Sequence, residues 1–353
     1  MSTKLNLPAS DLKNHRLVYL EVGRGLAALL VVCFHATAIV GLAKYFGEAP
    51  LNGLFSFGDA GVDFFFVLSG FIIYYSTSSN HGKWQLSTDY LKHRLARIYP
   101  IYWLVALLLL PMGVIFGHWP GNINVIKDFL LWPRSNLPFV PVAWTLIHEM
   151  LFYVSFLLFF ISSGLAWTYF LLWSFLIALV SGLAWNINTP FCELYLHLRN
   201  IEFVLGMLVA AYLRQGGRVP WWCLSVGGLL FLSAGVNASI INKGISTLIP
   251  QYHLLYGASS VLLVAGFATC TSSGGRLVKG FAFLGRASYS IYLIHFAVLS
   301  AVIKLLVKTE MNTTVNFSIL IASGVIIGTL LYQYAERPLL KFSRQKMNIV
   351  SKG

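Results

Sequence analysis

Apolar runs of about span length recur along this chain, separated by short polar or proline-rich stretches. At about 20 apolar residues per bilayer crossing, the runs predict ten membrane spans. These lie at about 17–41, 55–77, 98–117, 143–162, 165–184, 199–213, 220–240, 254–271, 283–303 and 316–336. Between the third and fourth spans, residues 118–142 carry Trp119, Pro120, Trp132, Pro133, Pro138 and Pro141. That pattern predicts an ordered interfacial loop with an aromatic belt. The polar stretch Met1–Arg16 is followed by a run of full span length with no small-residue cleavage site, which reads as a cytoplasmic N-terminal segment and not a cleaved leader. The expected organisation is thus a segment 1–16, a transmembrane domain 17–338 and a basic cytoplasmic tail 339–353.

Composition narrows this further. Of 353 residues, 57% are hydrophobic and only 10% are charged, too little polar surface for a soluble fold. The fold class expected is all-α integral membrane, with about ten transmembrane helices and both termini cytoplasmic. The excess of 25 Lys and Arg over 12 Asp and Glu does not point to nucleic acid as a partner, because the basic residues stand at the ends of apolar runs and not in clusters interleaved with aromatics. With the N-terminus inside, they concentrate on the inner side, as membrane orientation requires; Lys44, Lys127, Arg134, Arg199, Lys243, Lys304 and Lys308 are the outer exceptions. Cys33, Cys192, Cys223 and Cys270 are too scattered for a metal or redox motif, so no metal is expected. No internal repeat of the kind that marks secondary transporters stands out.

The candidate chemistry lies in polar residues that lipid should exclude. Arg24 and His35 are eleven positions apart in the first span, which on a helix is about 16 Å along the axis and within about 20° of one face. Arg24 then falls near the inner boundary and His35 in the outer half. Asp63 in the second span and Glu149 in the fourth descend from the outer side to a comparable depth. Ionisable groups in a bilayer cost a few kcal/mol each and mark partners or cavities. A histidine beside a carboxylate is a general-base unit, the carboxylate holding the tautomer and stabilising the imidazolium; a buried bridge between two helices is the structural alternative. His295 in the ninth span also falls in the outer half, and it fits a packing residue as well as a substrate contact. Arg94, Arg97 and Arg286 share the inner end with Arg24, and arginine suits bidentate phosphate binding as well as simple anchoring.

These segments together resemble the acyltransferase-3 family of bacterial multi-span membrane O-acyltransferases. The family's arginine, ten residues and histidine is met by Arg24 and His35, with Glu21 ahead of them; its Gly-Val-Asp-Phe-Phe segment by Gly61 to Phe71, with one extra Phe. Its Arg-x-x-Arg-x-x-Pro is met by Arg94, Arg97 and Pro100, its Trp-Ser/Thr-Leu-x-x-Glu-x-x-Phe-Tyr by Trp144 to Tyr153, and its Ser-Tyr-x-x-Tyr-Leu-x-His by Ser288 to His295. Many members carry Glu-Glu-Gln after the tryptophan segment, where this chain has Glu149, Met150 and Leu151. The resemblance implies transfer of an acyl group, most often acetyl from acetyl-CoA, to a sugar hydroxyl of a surface polysaccharide such as exopolysaccharide or O-antigen, or of its undecaprenyl-linked precursor, in the bacterial inner membrane. It carries no bound cofactor: acyl-CoA is a substrate. His35 is then the expected base, Asp63 or Glu149 its orienting acid, Arg24, Arg94, Arg97 and Arg286 the donor-binding set, and Tyr292 and His295 candidate substrate contacts. A transporter or flippase for a lipid-linked sugar, with the buried ionisable residues as a proton relay, is the competing expectation.

Overall fold

In hydrocarbon every backbone N–H and C=O has to be satisfied within its own segment or a closed barrel, and this chain takes the first solution. The computed structural model describes residues 9–115, 125–134, 136–183, 189–241, 250–270, 274–309 and 311–350, among which there is no strand. The helices are α1 (Ala9–Val40), α2 (Ala60–Thr77), α3 (Ser87–Ile115), α4 (Val125–Phe129), α5 (Trp144–Ser155), α6 (Leu158–Ile161) and α7 (Ser163–Gly182). They continue with α8 (Pro190–Tyr195), α9 (Asn200–Arg214), α10 (Cys223–Val236), α11 (Pro250–Thr269), α12 (Arg276–Leu306), α13 (Thr313–Leu331) and α14 (Arg337–Val350). Ten segments among the described residues are long and apolar enough to cross a membrane, from Val18–Val40 to Thr313–Ser343. Local chemistry sets several starts. Ser162 caps α7, Thr189 caps α8 ahead of Pro190, and Asn312 caps α13, each side-chain oxygen accepting from a first-turn N–H.

The ten spans are those the apolar runs predict, with three differences that matter for the site. The third helix begins at Ser87, not near residue 98, and runs through Pro100 and Pro111; its first turns carry Asp89, Arg94 and Arg97 beyond the apolar run. The second begins at Ala60, after a turn in which Leu51 and Asn52 take positive φ, so Asp63 stands in the first helical turn and not deep in the span. The sixth is broken, α8 ending at Tyr195 and α9 starting at Asn200. In the loop before α5, Trp119 and Pro120 lie outside the described residues. The described segment 128–130 is tied to the middle of α3, where Tyr99 and Tyr102 donate to the carbonyls of Leu130 and Asp128 at 3.0 and 2.6 Å and Trp103 Nε1 donates to Phe129 O at 2.9 Å.

Two crossings of parallel helices organise the bundle, and glycine makes both. Where α1 meets α12, a Cβ on Gly285 would stand 1.8 Å from Glu21 O, and one on Gly25 would stand 2.4 Å from Phe281 O. Where α2 meets α9, a Cβ on Gly70 or Gly206 would lie 1.9 Å from Phe203 O or Val67 O. Only glycine lets backbones approach this closely, the usual device of helix packing in lipid. Beside the second crossing, Phe203 stacks between Phe66 and Phe152, with centroids 4.6 and 4.4 Å apart, which fixes α5 against both helices.

Candidate active site

At one end of the bundle a vestibule of about 860 Å³ is lined by Arg24, Arg94, Arg97, Arg286, Arg337 and Lys341, with Glu21, Asp89 and Glu336 among them. The first four are the arginines expected at the inner end. Arg337 and Lys341 come from α14; in sequence they count only toward the inner-side excess of basic residues. Arg24 Nη1 pairs with Glu21 Oε1 at 3.3 Å and Arg24 Nη2 donates to Ser288 Oγ at 3.1 Å. Arg94 donates to Ser76 Oγ at 3.3 Å and lies over the rings of Tyr90 and Tyr153. Glu336 accepts from Ser290 Oγ at 2.6 Å. Arg24 and Arg94 thus stand on short side-chain supports, facing a cavity wide enough for a phosphate-bearing group.

Arg24, Arg94 and Arg97 also line a second, narrow cavity of about 90 Å³ that leads into the bundle past Ser69, Glu149, Tyr153 and Ser288. Val62, Phe65, Thr145 and Tyr292 line its far part. There the Tyr292 hydroxyl donates to Val142 O at 3.0 Å and bonds Thr145 Oγ1 at 3.0 Å, and its ring meets Phe65 with centroids 6.4 Å apart. Glu149 accepts from the Tyr153 hydroxyl and from Ser69 Oγ, inside the cavity and within electrostatic range of Arg24 and Arg97.

His35 lies beyond Tyr292, outside the lining of that cavity. Its Nδ1 is 3.1 Å from Val31 O and 3.1 Å from Nε2 of His295. His295 is fully buried, and its own Nδ1 faces the carbonyls of Tyr292 at 2.7 Å and Ile291 at 3.1 Å. Phe34 and Phe296 meet the His35 ring edge-on at 4.9 and 5.2 Å. The partner of His35 is therefore a histidine, where the sequence led us to expect a carboxylate. Glu149 is bonded instead to Tyr153 and Ser69. Asp63, 0% exposed, is held on the other side of α2 by Arg199 Nε at 3.4 Å and His253 Nδ1 at 3.0 Å. Arg199 also reaches Asp59 at 3.5 Å and lies 5.0 Å over the Trp144 ring.

The broken sixth span produces that arrangement. With α8 ended at Tyr195, Asn200 donates back to the carbonyls of Leu194 and Tyr195 and bonds His148 Nδ1 at 2.9 Å, and Arg199 is left at the start of α9 opposite Asp63. Sequence reading counted Arg199 as an outer anchor and passed over Glu202 and His253. The available signal was Arg199 and Glu202, three residues apart at the head of an apolar run with two acids at the head of another. No group of three or more His, Cys, Asp or Glu suited to a metal ion occurs among the described residues.

A family described as "Acyltransferase domain" (acyltransferase-3) matches residues 17–333. The exopolysaccharide production protein ExoZ of Rhizobium meliloti (strain 1021) is 31% identical over 317 residues, covering 83% of this chain and 92% of ExoZ. The acyltransferase MdmB of Streptomyces mycarofaciens is 24% identical over 367 residues, covering 90% of each chain. Protein 2 in the picA locus of Rhizobium radiobacter is 33% identical over 151 residues, 40% of this chain and 73% of that one. No solved structure matches. With a family match over residues 17–333 and a relative 31% identical over 83% of this chain, the chain belongs to the acyltransferase-3 family of multi-pass membrane acyltransferases.

Proposed function

We propose that the protein moves a short acyl group, acetyl in the first instance, from acyl-CoA on the cytoplasmic side to a sugar hydroxyl of an exopolysaccharide or its undecaprenyl-linked precursor. The observation that carries this reading is the continuity of the site. A vestibule with six cationic side chains narrows through Arg24, Arg94 and Arg97 into a cavity that ends at Tyr292, next to the His35 and His295 pair. The basic end faces the cytoplasm, in keeping with the concentration of Lys and Arg there. The acceptor class is supported by the name of ExoZ.

In this reading Arg24, Arg94, Arg97 and Arg286 hold the donor phosphates and the thioester arm enters the cavity. The distance from Arg24 to His35, about 16 Å of helix, is of the order that such an arm spans. His35 Nε2 takes the proton of the acceptor hydroxyl as its oxygen bonds the thioester carbonyl carbon. The C–S bond then breaks, and the departing sulfur receives that proton from His35, giving the ester and free thiol. Glu149 and Tyr153 line the arm's route. Asp63 contributes by holding α2 to α9 and α11.

The test is mass spectrometry of surface glycans from cells lacking the protein, complemented with wild type or His35→Ala. An acyl mass that wild type restores and His35→Ala does not, at unchanged glycan length, supports the transferase. Loss of the glycan itself would favour the lipid-linked sugar flippase. Near-normal acylation by correctly inserted His35→Ala would overturn the role of His35.

A further inference from the structure

The hydrogen-bond pattern around the two histidines determines where their protons sit. Carbonyl oxygens only accept, so the Nδ1 of His295, facing Tyr292 O at 2.7 Å and Ile291 O at 3.1 Å, carries the hydrogen. In the neutral ring its Nε2 is then an acceptor, and it points at His35 Nδ1 at 3.1 Å. That atom also faces a carbonyl, Val31 O at 3.1 Å, so it too carries a hydrogen, shared between the carbonyl and His295. Among the described residues, Nε2 of His35 has no hydrogen-bond partner, which leaves its lone pair unengaged.

We infer that His295 is a positioning residue whose Nε2 accepts the Nδ1–H of His35 and thereby fixes His35 in the tautomer that presents an unprotonated Nε2 for proton abstraction. The inference rests on His35 being the base. It assigns His295 to the base itself, not to the substrate, and gives the role usually filled by a carboxylate to a second imidazole. Which ring nitrogen carries a proton is set by the bond its other nitrogen makes. A carboxylate at this place would have to be held ionised in the hydrocarbon, at a cost of a few kcal/mol; a neutral imidazole provides the acceptor without that charge. When His35 takes a proton on Nε2, its Nδ1–H is already bonded, so the imidazolium forms with no change of partner. Phe34 and Phe296 against its ring hinder rotation that would exchange the nitrogens.

Two side chains at position 295 separate this role from packing. His295→Gln keeps an acceptor oxygen able to reach His35 Nδ1, whereas His295→Leu fills similar space without one. In reconstituted protein, His295→Leu is expected to lower the acyl-transfer turnover about a hundredfold or more, the low end of general-base contributions, with the apparent KM for acetyl-CoA within twofold of wild type. His295→Gln is expected to recover at least tenfold of that loss. Equal activity of the Leu variant and wild type, or of the Leu and Gln variants, would overturn the inference. Nitrogen-15 spectra of histidine-labelled wild-type protein give a readout independent of activity and of any variant's folding. A pyridine-type signal for His35 Nε2 and a pyrrole-type signal for His35 Nδ1 are expected; the reverse assignment would overturn the clamp. If the spectra are as expected but His35→Ala still transfers acyl groups, the clamp stands and the catalytic reading of His35 falls.

Discussion

The Arg24 guanidinium donates to Ser288 Oγ at 3.1 Å, and Ser288 stands one turn before Tyr292 and two before His295 on the same face of α12. The residue that would grip the donor and the residue that would orient the base are therefore carried by one pair of helices. Ser288→Ala removes one support and leaves the charge. It should raise the apparent KM for acetyl-CoA about threefold to tenfold, the size of one ordinary hydrogen bond, with turnover nearly unchanged. Steady-state kinetics on reconstituted protein decide it, and an unaltered KM would make the contact incidental.

Arg97→Ala should weaken the donor more than Ser288→Ala does, by about tenfold to a hundredfold, because a charged hydrogen bond is worth about 1.5–3 kcal/mol. Donor titration against the purified variant is the measurement. A donor dependence equal to wild type would reduce Arg97 to an anchor.

Arg337 and Lys341 line the vestibule from α14, apart from the arginines that enter the inner cavity. A donor with a second phosphate remote from its thioester would meet them. The double variant Arg337→Gln and Lys341→Gln is expected to raise KM for acetyl-CoA several-fold while leaving KM for acetyl-dephospho-CoA within twofold. Equal change for both donors would show that α14 does not recognise that phosphate.

Phe65 and Tyr292 line the cavity with rings 6.4 Å apart, and the Tyr292 ring also meets His295 at 5.8 Å. Truncation to Phe65→Ala should admit water to the thioester, so thiol release without acceptor should rise several-fold relative to glycan acylation. Comparing free thiol with ester formed measures this, and an unchanged ratio would remove Phe65 from any gating role.

Arg199 is the charged partner shared by Asp59 and Asp63. Arg199→Ala leaves two buried carboxylates without it and should destabilise the protein by about 3–5 kcal/mol, seen as a lower thermal midpoint in detergent. Asp63→Asn should likewise lose stability before it loses chemistry. A folded Asp63→Asn variant with turnover reduced like His35→Ala would return Asp63 to the catalytic unit.

The spans and motif residues were legible because each is a local property: apolar length, a charge where lipid excludes it, a spacing on one helix. Arg24 and His35 share a face by arithmetic alone. Pairing was not legible, since it depends on which faces of separate helices meet. Asp63 and Glu149 looked equally able to serve His35, yet each has other partners: Asp63 has Arg199, at a break in the sixth span that no proline or glycine announces between Tyr195 and Asn200, and Glu149 has Tyr153 and Ser69 inside the cavity. The start of α3 was missed because its first turns are charged, and a hydropathy criterion stops where a helix leaves the bilayer while the helix itself continues.

The glycine contact between α1 and α12 also sets how the two ends of the site can move. Gly25 adjoins Arg24, and Gly285 lies three residues before Ser288, whereas His35 and His295 each lie ten residues, about 15 Å, farther along their helices. A relative tilt of about 10° about that contact would barely shift the arginine yet would separate the imidazoles by about 2–3 Å over that lever arm. Under the proposed reading, the tightest backbone approach of the two helices lies beside the donor arginine, so a tilt about it would displace the histidine end more than the arginine end.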